Sequence, residues 1–595
     1  MVALDSVFLN AEIVDVFLLR VFRGWIGIKE GRFLYVEAGD PPPDILAAEM
    51  SDLAGAMVIP GLIDAHMHIE SSLLTPARFS QASVPHGTTA VLADPHEVAN
   101  VAGASGVRWM VERSRNLSLH VRYALPSCVP ATSPDLEWTA QVFGPGIVNE
   151  FADEPQIAAL GEVMDYRRVL DEVSVQGAES STDARASANL SQMMENARAR
   201  SLLVEGHVPT LKGVELSEYL YHGVGSDHTL TNPAKLREQL SKGVCVMLQA
   251  KSLTEDVGEA VMSLPDRSRI VLVTDDIEAS LLRSGHMSLI VKRAITCGIA
   301  PLEAVASATI RPARYLGFDR GIEKRGAIAP GWNADFLVLD RIDTFPPRQV
   351  FVNGKVVARN GMMSGQGSAV RETEPANRNL LPDSVDEAEI RVADRLVRSG
   401  VANAVVIAND KTSLTGLEQI PLRLDDGFPV WPAEEDLACV TVIARDGSRS
   451  STGIVKNLGL KRGAFATSFA HDSHNLLIVG RDRREMALAA NEVIRRGGAL
   501  VVQSGGEEKM TTALDLPFFG LLSDEAFDVV AEGLTAIEKE LARLGMTRDR
   551  PFLMLSLLSL SVSPMYKFSD RGVIDTEARR LLPSFVSHEK LVGND

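Results

Sequence analysis

Cysteine is scarce in this 595-residue chain: Cys128, Cys245, Cys297 and Cys439 stand far apart, with no Cys-x-x-Cys spacing. That argues against a disulfide framework and a thiolate zinc site, and a reducing cytoplasm is the expected setting. Long apolar runs are missing too. The longest uncharged stretch, residues 551–566, is shorter than the roughly 18–20 residues of a membrane helix and carries two prolines, so it is expected to be a buried strand and loop. The opening MVALDSVFLNAEIVDVF has acidic residues within its apolar part and no basic leader, unlike a signal peptide. Basic blocks are absent as well, and the formal net charge is −18. Such a chain lacks the field that attracts phosphate backbones or lipid headgroups, so no nucleic-acid or membrane partner is expected and a small neutral substrate fits better.

What is present is ordinary for a globular protein: 45% hydrophobic and 23% charged residues, enough to bury a large core. One core stops growing at roughly 250–300 residues, so two or three domains are expected. Residues 1–60 alternate apolar and polar, with turn signals at Lys29-Glu30-Gly31 and Gly39-Asp40-Pro41, a pattern for short antiparallel strands. The pattern returns at residues 334–339 and at Val352-Asn353-Gly354-Lys355, whose Asn-Gly marks a hairpin. Residues 1–60 with 325–365 are therefore expected to form a small β-sandwich.

Between these segments lie eight short apolar runs: 62–68, 88–94, 121–127, 158–162, 202–207, 219–227, 244–249 and 270–275. Each ends in polar or ionisable residues, and the stretches between them can hold helices. Eight strand-plus-helix units over residues 61–324 match a (β/α)8 TIM-like barrel better than a doubly wound open sheet. In a barrel the active residues gather at the C-terminal strand ends, and nine of the twelve histidines fall between His66 and His286. The stretch 363–368 and the charged segment to about residue 385 read as a linker. Residues 380–595 mix strands such as 439–443 with an amphipathic helix over 524–544, an α/β pattern for a C-terminal domain.

Pro60-Gly61-Leu62-Ile63-Asp64-Ala65-His66-Met67-His68 places two histidines at alternate positions of a strand end, where both rings point one way and can bind one metal. An isolated His-x-His is often a surface pair; the apolar strand ahead of it favours ligation. Glu162 closes an apolar run, where an unpartnered buried carboxylate is costly. A metal pair would satisfy it, one oxygen to each ion, and a solvated strand end is the alternative. His207 and His228 end successive strand candidates in phase with the barrel. Asp275 or Asp276 follows the last strand; Asp275 is favoured as ligand and proton acceptor, with Asp276 capping the next helix. Asp94-Pro95-His96-Glu97 touches substrate, holds a ligand by a hydrogen bond, or simply begins a helix with acidic first-turn residues. Four imidazoles and two carboxylates suit Zn2+, Mn2+ or Fe2+. Such ions lower the pKa of bound water from about 15.7 towards 7, which points to hydrolysis and not to redox chemistry.

The motif ending in His66 and His68 resembles the signature of the amidohydrolase superfamily. Within it, Ile69-Glu70-Ser71-Ser72, Asp94-Pro95-His96-Glu97-Val98-Ala99-Asn100-Val101, Pro126-Ser127-Cys128-Val129-Pro130, Gly161-Glu162-Val163-Met164, Ser226-Asp227-His228, Thr274-Asp275-Asp276 and His471-Asp472-Ser473-His474-Asn475 resemble the bacterial adenine deaminase family. The resemblance runs over nearly the whole chain. It implies two divalent metals, Mn2+ or Fe2+ before Zn2+, held by His66, His68, Glu162, His207, His228 and Asp275, with Glu162 bridging. It implies hydrolysis of adenine to hypoxanthine and ammonia, with hydroxide attacking C6, Asp275 moving protons to the departing amine, and His228 and Glu97 as further catalytic candidates. It also implies a homodimer.

Some positions depart from the family pattern. Thr229 stands where a Glu is usual after Ser-Asp-His, and Met247-Leu248-Gln249-Ala250-Lys251-Ser252 replaces a Met-Ile-Arg-Glu-Gly-Ser pattern. His207-Val208-Pro209-Thr210 replaces His-Ala-Pro-Gly. An acid and a base missing together suggest a salt bridge replaced as a unit; the alternative is a different substrate, another aminopurine, a pyrimidine or a cyclic amide. A barrel that has lost catalysis is the reading from another class, and a complete ligand set argues against it. The segment from His471 to Asn475 forms either a metal or substrate contact or a hydrogen-bonded turn.

Overall fold

The computed structural model of the chain describes residues 3–174, 182–365, 381–408, 414–432, 435–504 and 510–587. Its residues group into two units: 1–95, 110–127 and 144–371 make one, and 96–109, 128–143 and 372–595 the other. Residues 366–380 of the expected linker lie outside the described residues.

In the first unit, the two β segments expected to fold together share one nine-stranded sheet. Leu4–Asp15, Arg20–Lys29 and Arg32–Ala38 are antiparallel, but Ala47–Asp52 and Met57–Pro60 run parallel to the first strand, which the alternation alone does not foretell. Phe336–Leu339 joins the segments by pairing antiparallel with Met57–Pro60. Asn353 and Gly354 both take positive φ, 48° and 73°, as a tight hairpin turn requires, and they connect Gln349–Val352 to Lys355–Arg359. Phe336 and Phe351 stack at 4.2 Å with Phe8 edge-on to both, closing the apolar face.

The chain then builds a (β/α)8 TIM-like barrel. Leu62–His68, Thr88–Ala93, His120–Leu125, Ile157–Val163 and Leu203–Gly206 pair in parallel in that order. Ser226–Asp227, Cys245–Leu248 and Ile270–Leu272 continue in parallel. The last strand resumes at Asp275–Asp276, which pairs with Leu62–His68 and brings the sheet back to its first strand. Between Leu203–Gly206 and Ser226–Asp227 the link is a backbone bond, Gly225 N–H to the carbonyl of Val204 at 3.0 Å. Ile63, Ala65, Ala90, Leu92, Ala124, Ala159, Cys245, Met247 and Val271 form one buried core. Strands buried on both faces explain the near-continuous apolar runs in the sequence.

Two expectations fail. The run 219–227 is not one strand: Tyr219 belongs to the helix Gly213–Tyr221, and only Ser226–Asp227 is extended. Tyr219 is fully buried on the helix, so its apolar character reflects helix packing. Residues 551–566 are not strand and loop: they start as the helix Pro551–Ser556, with proline in its first turn and Phe552 and Leu555 buried, before the strand Tyr566–Ser569. A short apolar run fits a buried helix as well as a strand.

The second unit is built on a ten-stranded sheet that includes Leu437–Ile443, with a separate three-stranded sheet and the helices Arg483–Arg495 and Phe527–Arg543. No helix among the described residues is long and apolar enough to cross a membrane.

Candidate metal centre

In the first unit, the strand ends bring His66, His68, Glu162, His207, His228 and Asp275 together. Glu162, next to last in the strand Ile157–Val163, sits at the centre. Its Oε1 lies 3.5 Å from Nε2 of His68, and its Oε2 lies 2.7 Å from Nδ1 of His207 and 3.1 Å from Nε2 of His228. Asp275 Oδ1 lies 3.5 Å from Nε2 of His68 and 3.9 Å from Nε2 of His66. The His66 and His228 rings stack at 3.8 Å. Two sets, His66 with Glu162 and His228, and His66 with His68 and Asp275, place one ligand atom per residue within 4.8 Å of each other.

The donor chemistry fits divalent ions. Nε2 of His66 is buried and has no hydrogen-bond partner. An aromatic nitrogen buried with its lone pair unused is costly in a metal-free site and natural in a loaded one. Burial, then the neighbouring His228, holds His66 well below the usual histidine range, so it is the neutral form that ligates metals. Burial pushes the Glu162 carboxyl up, but His228 and His207 outweigh it and keep the group ionised. Burial opposes the charge on Asp275 too, and the adjacent imidazoles of His68 and His228 hold its carboxyl below the usual range.

Asp275 carries φ of 62°, a left-handed conformation that a non-glycine residue adopts only where its surroundings impose it. Asp276 turns to a different partner: Ser71 Oγ donates to it at 2.5 Å. Asp64, also fully buried, accepts the hydroxyl of Thr274 at 2.5 Å and so ties the start of the barrel to the residue before Asp275. Burial raises the Asp64 carboxyl to about 7.

The departures next to the candidate ligands form their own network. Thr229 Oγ1 donates to Asp227 at 2.8 Å, Lys235 Nζ lies 2.9 Å from Asp227, and Gln239 donates to the same carboxylate at 2.7 Å. Gln249 Nε2 donates to the carbonyl of His228 at 3.0 Å. Lys235 was not singled out in the sequence; the signal available was a strand-end aspartate that needs a nearby cation.

Glu97 belongs to the second unit, in the first turn of the helix His96–Arg113. Its Oε1 lies 2.9 Å from Nδ1 of His471 and its Oε2 3.8 Å from Nε2 of His474, all three residues buried. The segment from His471 to Asn475 is a hydrogen-bonded turn. The buried guanidinium of Arg445 donates to the carbonyls of His474, Phe519 and Ser468, and Asn475 accepts the Arg445 N–H. The N–H of Ala470 donates to Nδ1 of His474 at 3.0 Å, which leaves the ring proton on Nε2. His474 therefore presents a donor and not a metal lone pair.

Residues 57–357 match the model of the amidohydrolase family, and residues 412–580 match the adenine deaminase C-terminal domain. An adenine deaminase of Clostridium perfringens is 32% identical over 586 residues, covering 97% of this chain and 98% of the relative. Adenine deaminase 2 of Shouchella clausii is 33% identical over 598 residues, covering 98% and 99%. An adenine deaminase of Methanothermobacter thermautotrophicus is 33% identical over 579 residues, covering 96% and 98%.

Proposed function

The chain belongs to the adenine deaminases of the amidohydrolase family, and from that premise we propose which of its residues carry out the reaction. The protein is a metal-dependent hydrolase that converts adenine and water to hypoxanthine and ammonia. His66, His68, Glu162, His207, His228 and Asp275 would hold two divalent ions. The observation that carries this ligand set is Glu162, whose two oxygens face different imidazoles. When bound, the ions supply hydroxide from water near neutral pH.

The side chains do the rest. Asp275 accepts a proton as water is activated and returns it to the amino nitrogen, so that C6 gains oxygen and loses ammonia. His228, 3.1 Å from Glu162, orients that carboxylate and would stabilise charge developing on the substrate. Glu97 is a further candidate for substrate contact. Mn2+ or Fe2+ fits the nitrogen and oxygen donors, with Zn2+ able to replace them. A cytoplasmic homodimer completes the proposal; light scattering on the purified protein checks the dimer.

The deciding experiment is ammonia release from adenine by protein loaded with Mn2+, beside His68→Ala and with metal counted per chain. Two ions per chain and metal-dependent release support the assignment. Tight binding of a single ion, or release unaltered in His68→Ala, would overturn the ligand set.

A further inference from the structure

We infer that Asp94 is a positioning residue for the metal centre, and that Gly161 is glycine because the Asp94 carboxylate fills the space of a side chain there. Asp94 follows the strand Thr88–Ala93, is 2% exposed, and reaches both ligand-bearing neighbours. Its carbonyl lies 3.0 Å from Nδ1 of His68. A carbonyl only accepts, so Nδ1 carries the ring proton and Nε2 keeps its lone pair for a metal. Its Oδ2 accepts the backbone N–H of Glu162 at 3.0 Å, and its own N–H donates to the carbonyl of Met67 at 3.0 Å.

One residue thus fixes the tautomer of a ligand on the first strand and the backbone of Glu162 on the fourth. Ser127 Oγ completes the hold by donating to the carbonyl of Glu162 at 2.8 Å. The close approach leaves no room at the preceding residue. A Cβ on Gly161 would lie 2.2 Å from Oδ2 and 2.9 Å from Cγ of Asp94, and the carboxylate is walled in. An alanine there has to push Asp94 off the Glu162 amide.

The inference rests on the metal-centre reading above. Its test uses the full chain, prepared metal-free, as wild type, Asp94→Asn, Asp94→Ala, Gly161→Ala and the double variant Gly161→Ala/Asp94→Ala. Mn2+ affinity is measured by competition with a chromogenic chelator, and the unfolding midpoint of the metal-free protein reports the fold. Asp94→Ala and Gly161→Ala are expected each to weaken Mn2+ binding by about 10–100-fold while the metal-free midpoint holds. Asp94→Asn, whose amide oxygen accepts the same N–H, keeps most of the affinity. Gly161→Ala adds little once Asp94 is alanine, because the clash is gone.

An Asp94→Asn protein as weak as Asp94→Ala would assign the effect to charge and overturn the inference. So would Gly161→Ala binding as wild type does, or being equally harmful in both backgrounds. Should Asp94→Ala not fold, Asp94→Asn and Gly161→Ala decide alone: the first must keep the metal and the second must lose it. Wild-type protein that binds no Mn2+ overturns the metal-centre reading itself, whereas tight wild-type binding with unaffected variants overturns this inference only.

Discussion

Lys235 Nζ lies 2.9 Å from Oδ2 of Asp227, a carboxylate with 1% side-chain exposure that immediately precedes His228. Burial pushes the Asp227 carboxyl up, but Lys235, then His228 and Gln239, hold it below the usual range. Removing the cation leaves a buried charge without compensation, which costs about 3–5 kcal/mol. Lys235→Ala is expected to lower stability by that order in urea unfolding of the metal-free protein. A change within error would mean that Gln239 and Thr229 suffice.

The same network bears on the two departures from the family pattern. Thr229 donates its hydroxyl to Asp227, and Gln249 supports the His228 carbonyl. Thr229→Glu puts a second carboxylate beside Asp227 and is expected to destabilise the protein by about 1–3 kcal/mol. If an acid and a base were replaced here as a unit, Gln249→Arg restores part of that loss in the double variant. Strictly additive effects in the four-member cycle would reject the coupling and make the two replacements independent.

Metal removal and ligand substitution separate binding from proton transfer. Chelator-treated protein is expected to lose adenine deamination and to regain it at two equivalents of Mn2+. In Asp275→Asn, kcat is expected to fall by about 10²–10⁴ even at saturating metal, the usual worth of a positioned acid–base group. A fall in metal affinity with kcat fully restored by excess Mn2+ would show that Asp275 only binds.

The barrel and the cluster of candidate ligands at its strand ends were legible because each depends on a short stretch of sequence. An apolar run of four to seven residues ending in His66 and His68, Glu162 or Asp275 carries its own evidence of burial and chemistry. Where that locality fails, so does the reading. Tyr219 is buried on the helix Gly213–Tyr221 and not in a strand, and residues 551–566 are too short a run to separate helix from strand by period. The parallel strands Ala47–Asp52 and Met57–Pro60 need the partner to be known. The grouping of Glu97 with His471 and His474 joins positions more than 370 residues apart, which no spacing rule reaches. Gly161 reads as an ordinary strand-end glycine until the Asp94 carboxylate is found in its side-chain space.

The acid limb of stability is expected to depend on His120. The guanidinium of Arg122 donates through Nε to Nε2 of His120 at 3.3 Å, so that nitrogen has to be unprotonated, and Phe318 packs edge-on at 5.6 Å. Burial, then Arg325 and Arg122, lowers the imidazole to about 3 from an ordinary value near 6.5. A base with a depressed folded pKa contributes its full stability above the unfolded value and loses it as pH falls towards the folded value. Stability should therefore decline between pH 6.5 and 3, by an amount on the order of a few kcal/mol for this residue alone. In His120→Asn the side chain no longer titrates. Denaturant unfolding of the two proteins between pH 7 and 5, with metal absent from both, isolates the contribution. The variant is less stable at pH 7, since packing is lost, but its slope with pH is shallower than that of the wild type. Parallel pH profiles would show that His120 is protonated without cost and that its hydrogen bond to Arg122 does not hold in solution.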